Sequence, residues 1–437
     1  MAKRGTEDTD GRGGGVKVVL VGAAGMSFGP VMAHDAIHTP GIRGGRVVLM
    51  DVAEKRLDEA FAAAARLNRA AGEPVRIEKT TDSKSALDGA DFVILSVESD
   101  RFKCWKQDYE APLKHGSTQI MGENGGPGGL FHSLRSIRLC LSIAGEMEKL
   151  CPDAYLINLT NPLSRVTLAI SRATRLKHAG LCHEFTGGLL RTAAHLLIPP
   201  GKISAEAAGI NHFSFFHRIE RRDTGEDLYP LLRRHARTFP FLYQPLVRHM
   251  FKKYGLLPVS SDSHIGEYVG FAKEVVGRHP KYYKLFDLEW RARDVLVKAY
   301  GRGLIPLPVH RLPRSHEQAF PLIEGLATEK RVRLDGVNVP NRGYVPNLPD
   351  GAIVEVPAFT GRDDLEPETV PPVHEPLAEL MRLQIRIQDL VVDAALSGDP
   401  APAFEALRLD PLSPPDETSC RKLFDEMVRL QAEYLPF

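Results

Sequence analysis

Four short apolar runs, separated by stretches with helical periodicity, constrain this chain more than any other feature. "VKVVLVG" closes on Gly22 and is followed by an apolar-periodic segment to about His38; "GRVVLMD" ends on Asp51 and leads into the amphipathic "VAEKRLDEAFAAAARLNRAAG". "DFVILSV" is the third run, and "AYLINLTNP" the fourth, after the helical "SLRSIRLCLSIAGEMEKLC". Runs apolar at consecutive positions suit strands covered on both faces. Strand alternating with helix predicts an α/β fold built on a doubly wound parallel sheet. Ligands on such sheets sit beyond the carboxyl ends of the strands. The residues just after each run are therefore the ones to inspect.

Past about Leu190 the pattern changes. Aromatic clusters and Pro-rich turns ("NVPNRGYVPNLPDG") lead to the strand-like "GAIVEVPAF" and to a predicted long helix from Glu375 to Ser397. We expect a disordered tail over 1–15, a Rossmann-like nucleotide-binding domain over 16–190, and a mixed α+β domain over 191–437 carrying substrate, metal and oligomer contacts. In the first domain, "GAAGMSFGP" keeps Gly22 but puts Ala24 and Ser27 at the next two glycine positions of the dinucleotide fingerprint. Asp51 follows Ser27 by 24 residues (51 − 27), near where an acid binds the adenosine ribose of NAD. Gly22, Ala23, Ala24, Gly25 and Asp51 are thus expected to hold NAD rather than NADP, whose 2′-phosphate the acid repels. A glycine turn with a capping Asp also occurs in nucleotide-free α/β proteins.

Composition removes several classes. A net charge of +1 over 437 residues gives no bulk attraction to nucleic acid. No apolar run approaches the ~20 residues of a membrane span, and "MAKRGTEDTDGRGGG" is polar and Gly-rich, unlike a signal peptide. Five irregularly spaced cysteines argue against a disulfide framework and for a reducing, cytoplasmic setting.

The segment "HAGLCHEFTGG" sets Cys182, His183 and Glu184 side by side, and "GINHFSF" places Asn211 and His212 at another apparent strand end. A free cysteine is most often a small buried hydrophobe. A thiolate and an imidazole 30 positions apart (212 − 182) can instead share one divalent ion and leave positions open for substrate oxygens. Two protein ligands are too few for a structural site, so the reading is catalytic. His183 and Glu184 border it as acid, hydroxyl binders or capping groups. Asn161 precedes proline and is pushed toward an extended conformation that aims its amide into the crevice. "MGENGGPGGLFHSLR" opens a helix with a glycine loop that can bring backbone amides to cofactor or sugar.

Taken in order, the glycine turn, the acidic strand end, "GENGGPGG", "TNP", "CHE", "GINH", "YGLLPVSSDSHIGEY" and "NVPNRGYVPNLPDGAIVEVP" resemble the NAD- and metal-dependent glycoside hydrolases of family 4, over nearly the whole chain from Val16. The resemblance implies a redox route: hydride leaves C3 of the sugar for NAD, a base takes the C2 proton, the glycosidic oxygen departs, water adds at C1 and the hydride returns. It implies Mn²⁺ on Cys182 and His212, although softness alone favours zinc. It implies Asn161 facing substrate and cofactor, and a base at Asp262 or Tyr268 from a segment that also offers His264 and Tyr254; for the leaving-group acid, His183 leads because it adjoins the metal thiol and an imidazole titrates near neutrality, with Glu123 behind it. Glu184 and Asn211 would contact the sugar. "CHE" resembles the α-galacturonidase subgroup, with Phe185 where valine usually stands; α-glucuronidase-like, α-glucosidase and α-galactosidase members are the alternatives. A uronate carboxylate needs a cation, from His183, His264, Arg101 or Arg135. The family implies a homodimer or homotetramer acting on a small sugar substrate, with no nucleic-acid or membrane partner. A 2-hydroxyacid dehydrogenase shares the early strands and needs no metal cysteine; a non-catalytic sugar or nucleotide binder tolerates the loss of Cys182.

Overall fold

The computed structural model describes residues 15–25, 28–277, 281–306 and 314–437. Residues 1–14 of the expected tail, and Ser27, lie outside the described residues. Twelve strands form one sheet: β1 (Lys17–Val21), β2 (Arg46–Met50), β3 (Arg76–Thr80), β4 (Phe92–Leu95), β5 (Tyr155–Asn158), β6 (His178–Leu181), β7 (Ile203–Ile210), β8 (Phe213–Arg221), β9 (Leu257–Pro258), β10 (Arg333–Pro340), β11 (Ile353–Thr360) and β12 (Leu365–Pro367). Their order is β3-β2-β1-β4-β5-β6-β10-β11-β7-β8-β9, with β12 on β11.

The first six strands are parallel. The order 3-2-1-4-5-6 is that of a dinucleotide-binding sheet, as the alternation of runs and helices predicts. Side chains of one strand divide between two cores. Val18 and Leu20 enter one cluster, Val19 and Val21 the other, and this is why the runs are apolar at every position. The strand β3 has no such signal. It is an edge strand, "RIEKT", and none of its residues is fully buried.

Beyond β6 the sheet continues antiparallel. β10 pairs with β6 at Val337↔Leu181 and Asn338↔Gly180, and β11 pairs with β7 at Glu355↔Gly209. Strands from both sides of residue 190 therefore share one sheet. The long helix spans Glu375–Ser397, as its pattern predicts, and ends on Gly398 in the left-handed region at φ 72°.

Arg135 was a candidate uronate cation, and the fold corrects that. Its guanidinium is 1% exposed and holds both oxygens of Asp108, at 3.1 and 2.7 Å. Gln431 Nε2 donates to the same carboxylate at 2.8 Å, tying the helix Glu417–Gln431 to the helix Arg101–Lys114. A buried bidentate pair of this kind leaves no charge for a ligand. Among the described residues, no helix is long and apolar enough to cross a membrane.

Candidate active site

The glycine turn follows β1 where the strand order reverses between β1 and β4. Gly22 has φ +89°, and a Cβ there would overlap the carbonyl oxygen of Ser96 at the end of β4. Ala24 N donates to Asp51 Oδ2 at 3.0 Å, so the acid at the end of β2 folds back onto the turn. A Cβ at Gly29 would overlap the Ala23 carbonyl. Close packing of helix on strand, the task of the third fingerprint glycine, thus falls to Gly29, two positions after Ser27 (29 − 27). Gly22→Ala is expected to cost about 1–3 kcal/mol from the left-handed backbone alone, read as a lower urea midpoint.

Cys182 follows β6, and His212 occupies a two-residue turn between β7 and β8. The two meet: Cys182 Sγ lies 3.3 Å from His212 Nε2. Both are buried. His212 is held at φ +62°, uncommon for a side chain with a Cβ and typical of a functional turn. Among the described residues, its Nδ1 has no hydrogen-bond partner. Burial, then the neighbouring His264, lowers the His212 pKa to about 3, so its imidazole is neutral. Burial pushes the Cys182 thiol well up, with Glu184 adding to it. A neutral imidazole beside a buried thiol, with a donor atom left unpartnered, fits a divalent cation that displaces the thiol proton.

His264 lies with its ring 4.2 Å from that of His212, and ligand atoms of His212, His264 and Glu267 fall within 4.8 Å of one another. Burial alone would lower His264; the contacts with Glu267 and Glu184 outweigh it and raise the pKa to about 9. Glu267 Oε1 accepts the backbone N–H of Glu123 at 2.5 Å, Asn124 at 2.7 Å and Gly125 at 3.3 Å. The amides of the glycine loop, expected to face cofactor or sugar, are taken by this carboxylate 142 residues downstream.

The other expected site residues divide. His183 Nδ1 lies 2.9 Å from Glu317 Oε1, with the side chain 57% exposed; the Glu317 hydrogen bond raises its pKa. Glu184 is buried and accepts from Arg191 Nη2 at 3.0 Å. Burial works against its ionisation, but His264 and Arg191 hold it at about 2. Asn211 Nδ2 donates to Glu355 at 3.4 Å. Asn161 is half-buried between β5 and the helix Leu163–Ala173.

Asp262 accepts from Leu246 N and Val247 N, at 3.0 and 2.8 Å, and so anchors the first turn of the helix Pro245–Tyr254. Tyr268 stacks on Phe213, next to His212, with ring centroids 5.4 Å apart. Burial pushes its phenol well up; the negative charge of Glu267 adds, and Arg165 opposes. Tyr254 lies apart, against His374. Glu123 pairs with Arg101 at 2.8 Å. Burial disfavours its charge, yet Arg101 and His264 keep it near 2, so it has no proton to give as an acid. Arg101 also pairs with Glu98 and lies 3.6 Å over the Trp290 ring, which leaves His183 and His264 of the four cations. Glu267, Glu317, Arg191 and Glu355 belong to this crevice without any local sequence signal.

The model of the family 4 glycosyl hydrolases matches residues 17–197, and that of the family's C-terminal domain matches 207–413. An α-glucosidase of Erwinia rhapontici is 30% identical, over 96% of this chain and 99% of its own length. An α-galacturonidase of Thermoanaerobacter italicus is 26% identical, over 96% and 97%. A solved 6-phospho-α-glucosidase from gut microorganisms, in complex with NAD and Mn²⁺, superposes with a TM-score of 0.84 at 21% identity, over 97% of this chain and 99% of that one. Both halves of the sheet are thus matched by models of one family, and the chain belongs to glycosyl hydrolase family 4.

Proposed function

We propose that this chain hydrolyses α-linked uronic-acid glycosides, α-galacturonides foremost, with NAD and Mn²⁺ both returning unchanged after each turnover. The observation that carries the reading is the buried meeting of Cys182 Sγ and His212 Nε2 at 3.3 Å, on strand ends of a nucleotide-type sheet. Cys182 and His212 would hold the ion; the turn Gly22, Ala23, Ala24, Gly25 and the acid Asp51 would hold NAD, with Asn161 at its sugar-facing side. When bound, NAD supplies a reversible hydride acceptor for C3 and the ion a Lewis acid for the C2 and C3 oxygens.

The remaining work belongs to side chains. Tyr268 would take the C2 proton as its phenolate, after its own proton has passed to solvent, since the oxygens of Asp262 are engaged by Leu246 and Val247. His183, whose pKa the Glu317 hydrogen bond raises, would give its proton to the departing glycosidic oxygen from the open side of the crevice. Glu184, fixed as a carboxylate by Arg191, accepts a sugar hydroxyl. Asn211 braces the His212 turn and presents its amide beside it. The uronate reading is supported by the "CHE" triplet, by the α-galacturonidase relative, and by His264, a half-buried cation next to the metal pair. The Erwinia α-glucosidase favours a neutral α-glucoside as the second reading.

Five free cysteines support a cytoplasmic location. A homodimer or homotetramer is supported by the helix Tyr282–Gly301, which exposes Leu285, Leu288, Val295 and Leu296 at 51–67%. The deciding experiment assays 4-nitrophenyl α- and β-glycosides and galacturonate or glucuronate disaccharides with NAD⁺, Mn²⁺ and a thiol reductant. Hydrolysis of the α-galacturonide without accumulating NADH is the expected result. Preference for neutral glucosides would overturn the uronate assignment, and stoichiometric NADH the hydrolase itself.

A further inference from the structure

We propose that Glu355 is the buried counter-charge of the metal centre: a carboxylate fixed behind the His212 turn whose unpaired negative charge the bound divalent cation neutralises. The inference rests on the cation reading above and concerns a residue that touches neither substrate nor cofactor, so its role is positional and electrostatic.

Glu355 lies in β11, opposite Gly209 of β7, and is 2% exposed. Three side chains donate to it: Ser214 Oγ at 2.6 Å, Asn338 Nδ2 at 3.3 Å and Asn211 Nδ2 at 3.4 Å. Asn211 and Ser214 flank His212 and Phe213, so one carboxylate grips both ends of the turn that holds His212 at positive φ. Burial raises the Glu355 pKa, and the hydrogen bonds from Ser214, Asn338 and Asn211 oppose it by favouring the carboxylate.

The other glutamates of the crevice each have a cation: Glu123 has Arg101, Glu184 has Arg191, Glu267 has His264 and Glu317 has His183. Among the described residues, no Lys, Arg or His nitrogen comes within 4.0 Å of Glu355. A buried carboxylate without a counter-ion is strongly unfavourable. A cation held by Cys182 and His212 would offset the charge of the carboxylate that braces the His212 turn through Asn211 and Ser214. Groups that orient metal ligands from behind typically change metal affinity by about 10–100-fold.

The test uses the full chain and two readouts, Mn²⁺ binding followed by the loss of the free-ion EPR signal, and thermal unfolding with and without Mn²⁺. Glu355→Gln is expected to weaken Mn²⁺ binding about 10–100-fold while the metal-free protein melts at the same temperature or higher, since an unpaired charge has gone. A merely structural role would instead lower both melting temperatures and leave affinity unchanged, which would overturn the proposal. Glu355→Asp keeps the charge and is expected within about threefold of the parent; it carries the test should the Gln protein not fold, and a tenfold loss in it would assign the role to shape and overturn the charge argument. Failure of the unaltered chain to bind Mn²⁺ would overturn the cation reading and this proposal with it. Equal binding by the parent and Glu355→Gln would overturn this proposal alone.

Discussion

Cys182→Ser is expected to lower kcat/KM by about a thousandfold or more and to leave a folded protein. A catalytic Lewis acid contributes several kcal/mol, and each 1.36 kcal/mol is a factor of about ten in rate. Serine cannot replace the thiolate, because its hydroxyl keeps its proton under conditions where a metal draws one from sulfur. The fold should tolerate the change: the sulfur's neighbour is His212 and the site sits at strand ends rather than in a core layer. Cys420→Ser is the control, being buried against the Pro414 carbonyl, in the C-terminal helix. Loss of hydrolysis in the Cys182 variant with an unchanged urea midpoint is the expected pair of results. Hydrolysis near the parental rate would remove the metal pair from the chemistry and leave a binder or a metal-independent enzyme.

Tyr268→Phe is expected to lower kcat by about 10²–10⁴-fold, the range for loss of a positioned general base, and to abolish wash-in of solvent deuterium at C2 of the product. Asp262→Asn separates the two bases that the sequence leaves open. Its oxygens hold the N–H groups of Leu246 and Val247, so its loss should cost stability, about 1 kcal/mol for a helix-capping acid, while deuterium exchange persists. Exchange that survives in the Phe variant and vanishes in the Asn variant would exchange the two roles.

What the sequence reveals follows from how far each signal reaches. β1, β2, β4 and β5 are legible because a strand covered on both faces is apolar at every position. β3 is not, since an edge strand with charged residues at most positions has no period to detect. Cys182 and His212 stand out because a thiol and an imidazole at apolar strand ends are chemically unusual. Their supports do not. Glu267 is recognisable as the clamp of the glycine loop only once it is seen 142 residues away from Gly125 in sequence and 3.3 Å away in space. Arg135 misleads for the same reason: its partner Asp108 lies on another helix, 27 positions back. The glycine fingerprint shows a milder version, with the packing glycine displaced to Gly29, where spacing alone points to Ser27.

The placement of β10 and β11 between β6 and β7 bears on how the protein is made. Cys182 and His212 emerge from the ribosome early, but the two strands that hold them at the correct separation are encoded at Arg333–Pro340 and Ile353–Thr360. A nascent polypeptide therefore carries both ligands for more than a hundred residues of synthesis before the gap between them is filled. Under the proposed cation reading, ion capture would wait for these two strands, and a truncated product that keeps only its amino-terminal half would gain no sulfur–imidazole chelate.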